Sequence, residues 1–258
     1  MNKRILLTTL IVILAAGMLG CWFYFIGKLA AEGRQEARCR QVDVILLDSL
    51  ESAIVDKAEV MEYVSRRALG QQTVRVDLDS IEKALRARGE VMSAQVYAAD
   101  DQTIAVRLTQ RKPVIRFEEG ADRWYADPEG YLFPVNNSVD VPVVTGQIPF
   151  EAEKTWRGEA PAEKLPWVLG MVELARYIDS KEVLRREIAQ IEIAPDGDIV
   201  LYTRTPGPAI IFGDSGNCAD KFRRLEAYWR NIAPQMDSKK PYRTINLKYN
   251  NQIICKKL

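Results

Sequence analysis

Residues 91–114 read VMSAQVYAADDQTIAVRLTQRKPV, and this stretch decides the fold. Val91, Ala94 and Val96 lie in a short run of strand-forming residues. Asp100-Asp101 is a turn signal. Ile104, Val106 and Leu108 then alternate with a period of two, the spacing that puts one face of a strand into a core. The pattern predicts a β-hairpin. Pro113 has no backbone donor, so it belongs at a strand exit, and it marks a boundary to whatever follows.

Upstream of the hairpin the pattern changes period. Val42, Val44 and Leu46 alternate as a strand, and Asp48-Ser49 is a turn signal. Asp56 with Glu59 three residues later forms a capping box and opens a helix. Val60, Val64 and Ala68 give that helix an apolar stripe, and Gly70 stops it. Val74, Val76 and Leu78 alternate briefly as extended chain. Asp79 with Glu82 reads as a second capping box, with Ile81 and Leu85 facing the core. The order is β-α-α-β-β over residues 40–112, with two helices on one face of a three-stranded sheet.

Further upstream, residues 5–26 hold no charged side chain. As a helix this segment would be about 33 Å long, enough for a hydrocarbon core of about 30 Å. Trp22, Phe23 and Tyr24 stand at its far end, where aromatic rings favour the membrane interface. Lys3, Arg4 and Lys28 flank it and can snorkel. The stretch exceeds a signal peptide's apolar region, and Met18-Leu19-Gly20-Cys21 is a poor lipoprotein site. We therefore expect a transmembrane helix over residues 5–26, a tail over 1–4 and a stalk over 27–39. Basic residues flank both ends, so charge alone leaves the orientation open.

Composition narrows the chemistry. Lysine plus arginine number 36 against 35 aspartates and glutamates, a net charge of +1. That balance argues against a nucleic-acid partner. The chain has no histidine, which removes Ser-His-Asp and Cys-His arrangements and the imidazole ligands of zinc. Cys39, Cys218 and Cys255 lie outside the apolar segment with no C-x-x-C spacing. Buried free thiols are the expected state, with a Cys218–Cys255 pair as the alternative.

Downstream, residues 113–258 read as a mixed or antiparallel β domain with two helices. Asp127-Pro128-Glu129-Gly130 is a turn before Tyr131-Leu132-Phe133-Pro134. Val141-Pro142-Val143-Val144-Thr145-Gly146 is a strand. Residues 147–163 form an exposed loop. Residues 165–179 form a helix with Pro166 in its first turn and Leu169, Val172, Leu174 and Ile178 buried. Ile188, Ile191 and Ile193 begin a strand that turns at Pro195-Asp196-Gly197-Asp198. An apolar strand ends at Gly213, and a helix runs from Lys221 to Ile232. A final strand runs through Ile245, Leu247 and Tyr249. After the Asn250-Asn251 turn comes Gln252-Ile253-Ile254-Cys255.

In this order the motifs resemble the FtsQ/DivIB family of bacterial cell-division proteins, with a POTRA domain just after a single membrane anchor. The carrying residues are Val91, Ala94 and Val96, then Arg111-Lys112-Pro113-Val114, the Asp127 turn with Phe133-Pro134, Thr145-Gly146, and the Lys221-to-Leu225 helix. Asn246-Leu247-Lys248-Tyr249 stands where the family carries Asp-Leu-Arg-Tyr, and lysine lacks arginine's planar fork. The fold class expected is α+β: an N-terminal transmembrane helix, a POTRA-like module and an FtsQ-type β domain.

The resemblance implies a non-catalytic divisome scaffold in the inner membrane, N-terminus cytoplasmic and bulk periplasmic. Its partners would be FtsB and FtsL, with FtsW, FtsI and FtsK as further divisome proteins, and it implies no cofactor and no small-molecule substrate. The partner-binding residues it points to are Ile245, Leu247, Lys248, Tyr249 and Ile253, through strand addition. Alternation of Ile245, Leu247 and Tyr249 by itself reads as core burial. The alternative function is a membrane-anchored periplasmic cell-wall hydrolase using paired carboxylates, which must stand about 5–9 Å apart. Asp127 and Asp196 sit in turns, the ordinary place for aspartate.

Overall fold

The structure is a computed structural model that describes residues 14–29, 37–48, 54–119, 122–134, 139–150, 158–235 and 242–257. Residues 14–29 form a helix, α1, whose side chains are all exposed. Among the described residues no helix is long and apolar enough to cross a membrane. The rest of the apolar segment expected to span, and residues 30–36 of the expected stalk, lie outside the described residues. The chain divides into two compact units, one built from residues up to 47 with 56–86 and 93–109, the other from 48–55, 87–92 and 110–258.

The first unit contains β1 (Gln41–Leu46), α2 (Lys57–Ala68), α3 (Leu78–Arg86) and most of β2 (Val91–Ala98) and β3 (Thr103–Gln110). The sheet order is β1-β3-β2. β1 and β3 run parallel, with Gln41 opposite Thr103 and Leu46 opposite Leu108. A parallel pair requires a long connection, and both helices lie within it. Asp56 caps α2: its Oδ1 accepts from the backbone N–H of Ala58 at 2.8 Å and of Glu59 at 3.3 Å. Val60, Val64 and Ala68 are fully buried at helical spacing.

Two local expectations are corrected. The cap of α3 is Asp77, not Asp79, because the Ser80 N–H donates to Asp77 Oδ1 at 2.9 Å. Glu82 does not reach back to the cap; it accepts from the Val96 N–H at 2.9 Å and pairs with Arg86. The Val74-Val76 alternation is not a strand either. Thr73–Arg75 forms a 3-10 turn, and the buried Thr73 hydroxyl donates to the Asp101 carbonyl at 2.8 Å.

Among the described residues the second unit is one ten-stranded mixed sheet with helices. Its strands are β4 (Ile115–Glu119), β5 (Asp122–Ala126), β6 (Tyr131–Phe133), β7 (Val143–Gly146), β8 (Gly158–Glu159), β9 (Ile188–Ile193), β10 (Ile199–Thr203), β11 (Ala209–Gly213), β12 (Tyr242–Asn246) and β13 (Ile254–Lys257). They lie in the order β13-β12-β11-β10-β9-β7-β4-β5-β6-β8. β4 with β7, β7 with β9, and β11 with β12 are parallel.

Among the described residues three α-helices accompany the sheet where the sequence predicted two: α4 (Leu165–Ser180), α5 (Glu182–Glu187) and α6 (Cys218–Asn231). The short α5 continues directly from α4 and turns the chain into β9. The buried face of α4 is Val168, Met171, Val172, Leu174, Ala175 and Ile178, and Leu169 is exposed rather than buried. Aromatic packing joins sheet and helices: Phe222 lies 4.9 Å from Phe212 and stacks on Tyr177 at 5.3 Å, centroid to centroid.

The Arg111 and Asp127 motifs meet in this unit. Arg111 Nη1 donates to Asp127 Oδ2 at 2.5 Å, and its guanidinium lies 3.4 Å from the Tyr131 ring centroid. Asp127 Oδ1 accepts from the N–H groups of Glu129 at 3.1 Å and Tyr131 at 2.9 Å. The carboxylate is buried, one oxygen engaged within the turn it forms and the other by Arg111.

Candidate docking edge

One end of the large sheet is made by β13. β12 occupies the position inside it, parallel to β11 on one side and antiparallel to β13 on the other. Ile245 faces Cys255 and Asn246 faces Ile254 across the β12–β13 pair. Among the described residues no strand pairs with the outer side of β13. Its outward N–H and C=O groups therefore form a backbone template of the kind an extended segment can join.

The five residues singled out in the sequence have different surroundings. Ile245 and Leu247 are fully buried and belong to the core. Their alternation has the ordinary meaning, since β12 has neighbours on both sides. Ile253 packs partly buried against that core. Tyr249 is 51% exposed, in the turn between β12 and β13. The edge strand falls later than the Ile245–Tyr249 pattern suggested, and it presents Ile254, 45% exposed, with Lys256 and Lys257 exposed beside it.

Lys248 is held within the chain. Its Nζ donates to Asp198 Oδ2 in the β9–β10 turn at 2.6 Å. Asp198 beside it raises the lysine's pKa. The lysine stem crosses Gly213, whose φ is +83°; a Cβ there would stand 2.7 Å from Lys248 Cγ. Glycine thus leaves room for the stem and supplies the left-handed backbone. Asn246 retains the acceptor that an aspartate would offer: its Oδ1 accepts from the Lys248 N–H at 2.9 Å. The resulting Asx turn ends β12.

Helix α6 supplies two cations that sequence reasoning did not assign. Lys221 and Arg224 lie on the same face as Cys218, Phe222, Leu225 and Tyr228, and all six are buried. Lys221 Nζ donates to the carbonyl and to the carboxylate of Asp214, both at 2.8 Å. That bond lowers the Asp214 pKa. Arg224 Nε donates to Asp220 Oδ2 at 2.9 Å. Its two terminal nitrogens reach three backbone carbonyls: Leu247 at 3.1 Å, Tyr249 at 2.8 Å and Gln252 at 2.5 Å. The available signal was a charge on an apolar stripe, because a buried cation must be paired. The cysteines are free, and burial pushes the Cys218 thiol up to about 11.

Comparison with known proteins covers both units. Residues 112–256 match the family model "FtsQ/DivIB, C-terminal related", and residues 37–109 match the model "POTRA-like domain". The chain is 26% identical over 165 residues to the cell division protein FtsQ of Streptomyces bingchenggensis (strain BCW-1), covering 64% of this chain and 60% of that relative. It is 26% identical over 188 residues to the cell division protein FtsQ of Koribacter versatilis (strain Ellin345), covering 69% of this chain and 50% of the relative. The match thus spans about half to three-fifths of the length of these curated relatives.

Proposed function

The chain belongs to the FtsQ/DivIB C-terminal-related family, and from that premise we propose that it is a non-catalytic scaffold of the division machinery. Residues 5–26 anchor it in the inner membrane, with the N-terminus cytoplasmic and both folded units periplasmic. It recruits FtsB- and FtsL-type partners, and through them the septal wall-synthesis proteins. The observation that carries this reading is the open outer side of β13 at the end of the sheet. An extended partner segment adds there by main-chain pairing, with Tyr249 and Ile254 giving apolar contact. Exposed Lys256 and Lys257 favour a segment that bears acidic side chains.

The hydrolase reading gains nothing from the carboxylate it would use first. Asp127 spends one oxygen on two backbone N–H groups and the other on Arg111.

Capture of the FtsB-type protein from the same cell tests the scaffold. Tyr249→Asp combined with Ile254→Asp should abolish it, with the urea unfolding midpoint unchanged. Full capture by the folded double variant would sink the docking claim. A phosphatase reporter joined after the second unit should be active, and an inactive one would reverse the proposed orientation.

A further inference from the structure

We infer that Arg224 is the positioning residue of the docking edge. It pre-shapes the segment between β12 and β13 so that β13 is presented in one register. This rests on the docking reading above and adds to it a residue that no partner would touch.

The edge is weak on its own. β13 has four residues and, among the described residues, pairs on one side only. Strands commonly run about five to six residues, and a strand this short with one neighbour gains little from its own ladder. The β12–β13 ladder is also interrupted by a register shift between Tyr242 and Thr244. Residues 247–253 leave the ladder altogether, and Asn251 adopts φ +60° within them. Unaided, such a connection would sample many shapes, and a partner would have to order it on binding, at a cost in affinity.

Arg224 removes that freedom from one rigid point. It stands on α6 with 8% of its surface exposed. Asp220, one turn earlier, accepts its Nε and fixes the plane of the guanidinium. The two terminal nitrogens then gather carbonyls from the start, middle and end of the connection: Leu247, Tyr249 and Gln252. Gln252 lies two residues before β13 begins. Its carbonyl is therefore the last of the three held by Arg224 before the edge. The planar fork is what allows one side chain to hold three acceptors. Lysine has a single nitrogen and cannot span them. Holding the Tyr249 carbonyl also sets where the exposed Tyr249 ring departs from the turn.

The test uses the full-length chain in detergent micelles, comparing Arg224→Lys with Ile254→Asp and the unsubstituted protein. Two quantities are read: amide hydrogen exchange along β9 to β13, and dissociation of the FtsB-type partner. For Arg224→Lys we expect exchange of the amides over residues 254–257 to rise at least tenfold, with β9, β10 and β11 unchanged. Partner dissociation should be at least tenfold faster at an unaltered unfolding midpoint.

Unchanged exchange and unchanged dissociation overturn the inference. So does a general loss of protection across β9 to β11, because Arg224 would then serve the whole fold rather than the edge. The docking reading fails separately, if Ile254→Asp captures the partner as well as the unsubstituted chain does. In that case the exchange arm still decides whether Arg224 orders β13.

Discussion

Individual side chains in this protein show how a charge is tolerated away from water. The Arg111–Asp127 pair is largely buried, and the backbone donors of Glu129 and Tyr131 complete the carboxylate's bonding. Asp127→Asn keeps a carbonyl acceptor for those donors but leaves the guanidinium uncompensated. We expect a loss of about 2 kcal/mol, read as a lower urea midpoint. Asp214 behaves differently because its carboxylate is mostly in water, whereas Lys221 is buried. Its folded pKa is depressed by the Lys221 hydrogen bond. The stability it contributes is therefore present above the unfolded carboxylate value of about 3.9 and is lost as pH falls through the lower folded value. An acid titration of the unfolding midpoint should show Asp214→Asn differing from the parent at neutral pH and converging with it in strong acid. A constant difference at every pH would contradict this.

At the scale of elements, the Thr145-Gly146 motif acquires a physical reason. Gly146 ends β7 with φ +91°, and a Cβ there would lie 2.3 Å from the Ile193 carbonyl oxygen. β7 and β9 pair in parallel at this point, so the motif is the place where two backbones approach too closely for a side chain. Gly146→Ala should cost at least about 2 kcal/mol, lowering the thermal midpoint by about 4–8 °C. A shift under 1 °C would show that the strands can separate there without cost. The elements were legible wherever one period dominates. The 91–110 hairpin and the stripe on α2 follow directly from alternation and from 3.6-residue spacing. The start of α3 was misplaced because Asp77 and Asp79 both lie shortly before the Ile81–Leu85 stripe, and only the hydrogen bond chooses between them. The five docking residues divide between core and surface for a related reason. Ile245 and Leu247 alternate because they fill a core, while β13, which makes the edge, has too few residues to show a pattern.

For the whole molecule, the sequence reads as two successive modules, and nothing in it shows that the ten described strands of the second join in one sheet. That outcome depends on β7 pairing with both β4 and β9, a long-range choice that leaves no local periodicity. A sheet that ends in an open strand also carries a colloidal hazard. Nothing in main-chain geometry distinguishes an intended partner from a second copy of the same edge. Lys256 and Lys257 act against the second outcome, because copies aligned edge to edge would bring like charges together at close range. The assembly state should therefore respond to ionic strength. Light scattering on the Lys256→Leu, Lys257→Leu double variant should show concentration-dependent association at low salt. The unsubstituted chain should reach that state only when salt screens its lysines. The two terminal lysines would then set the concentration at which the protein can be stored, crowded or overproduced before it adheres to itself.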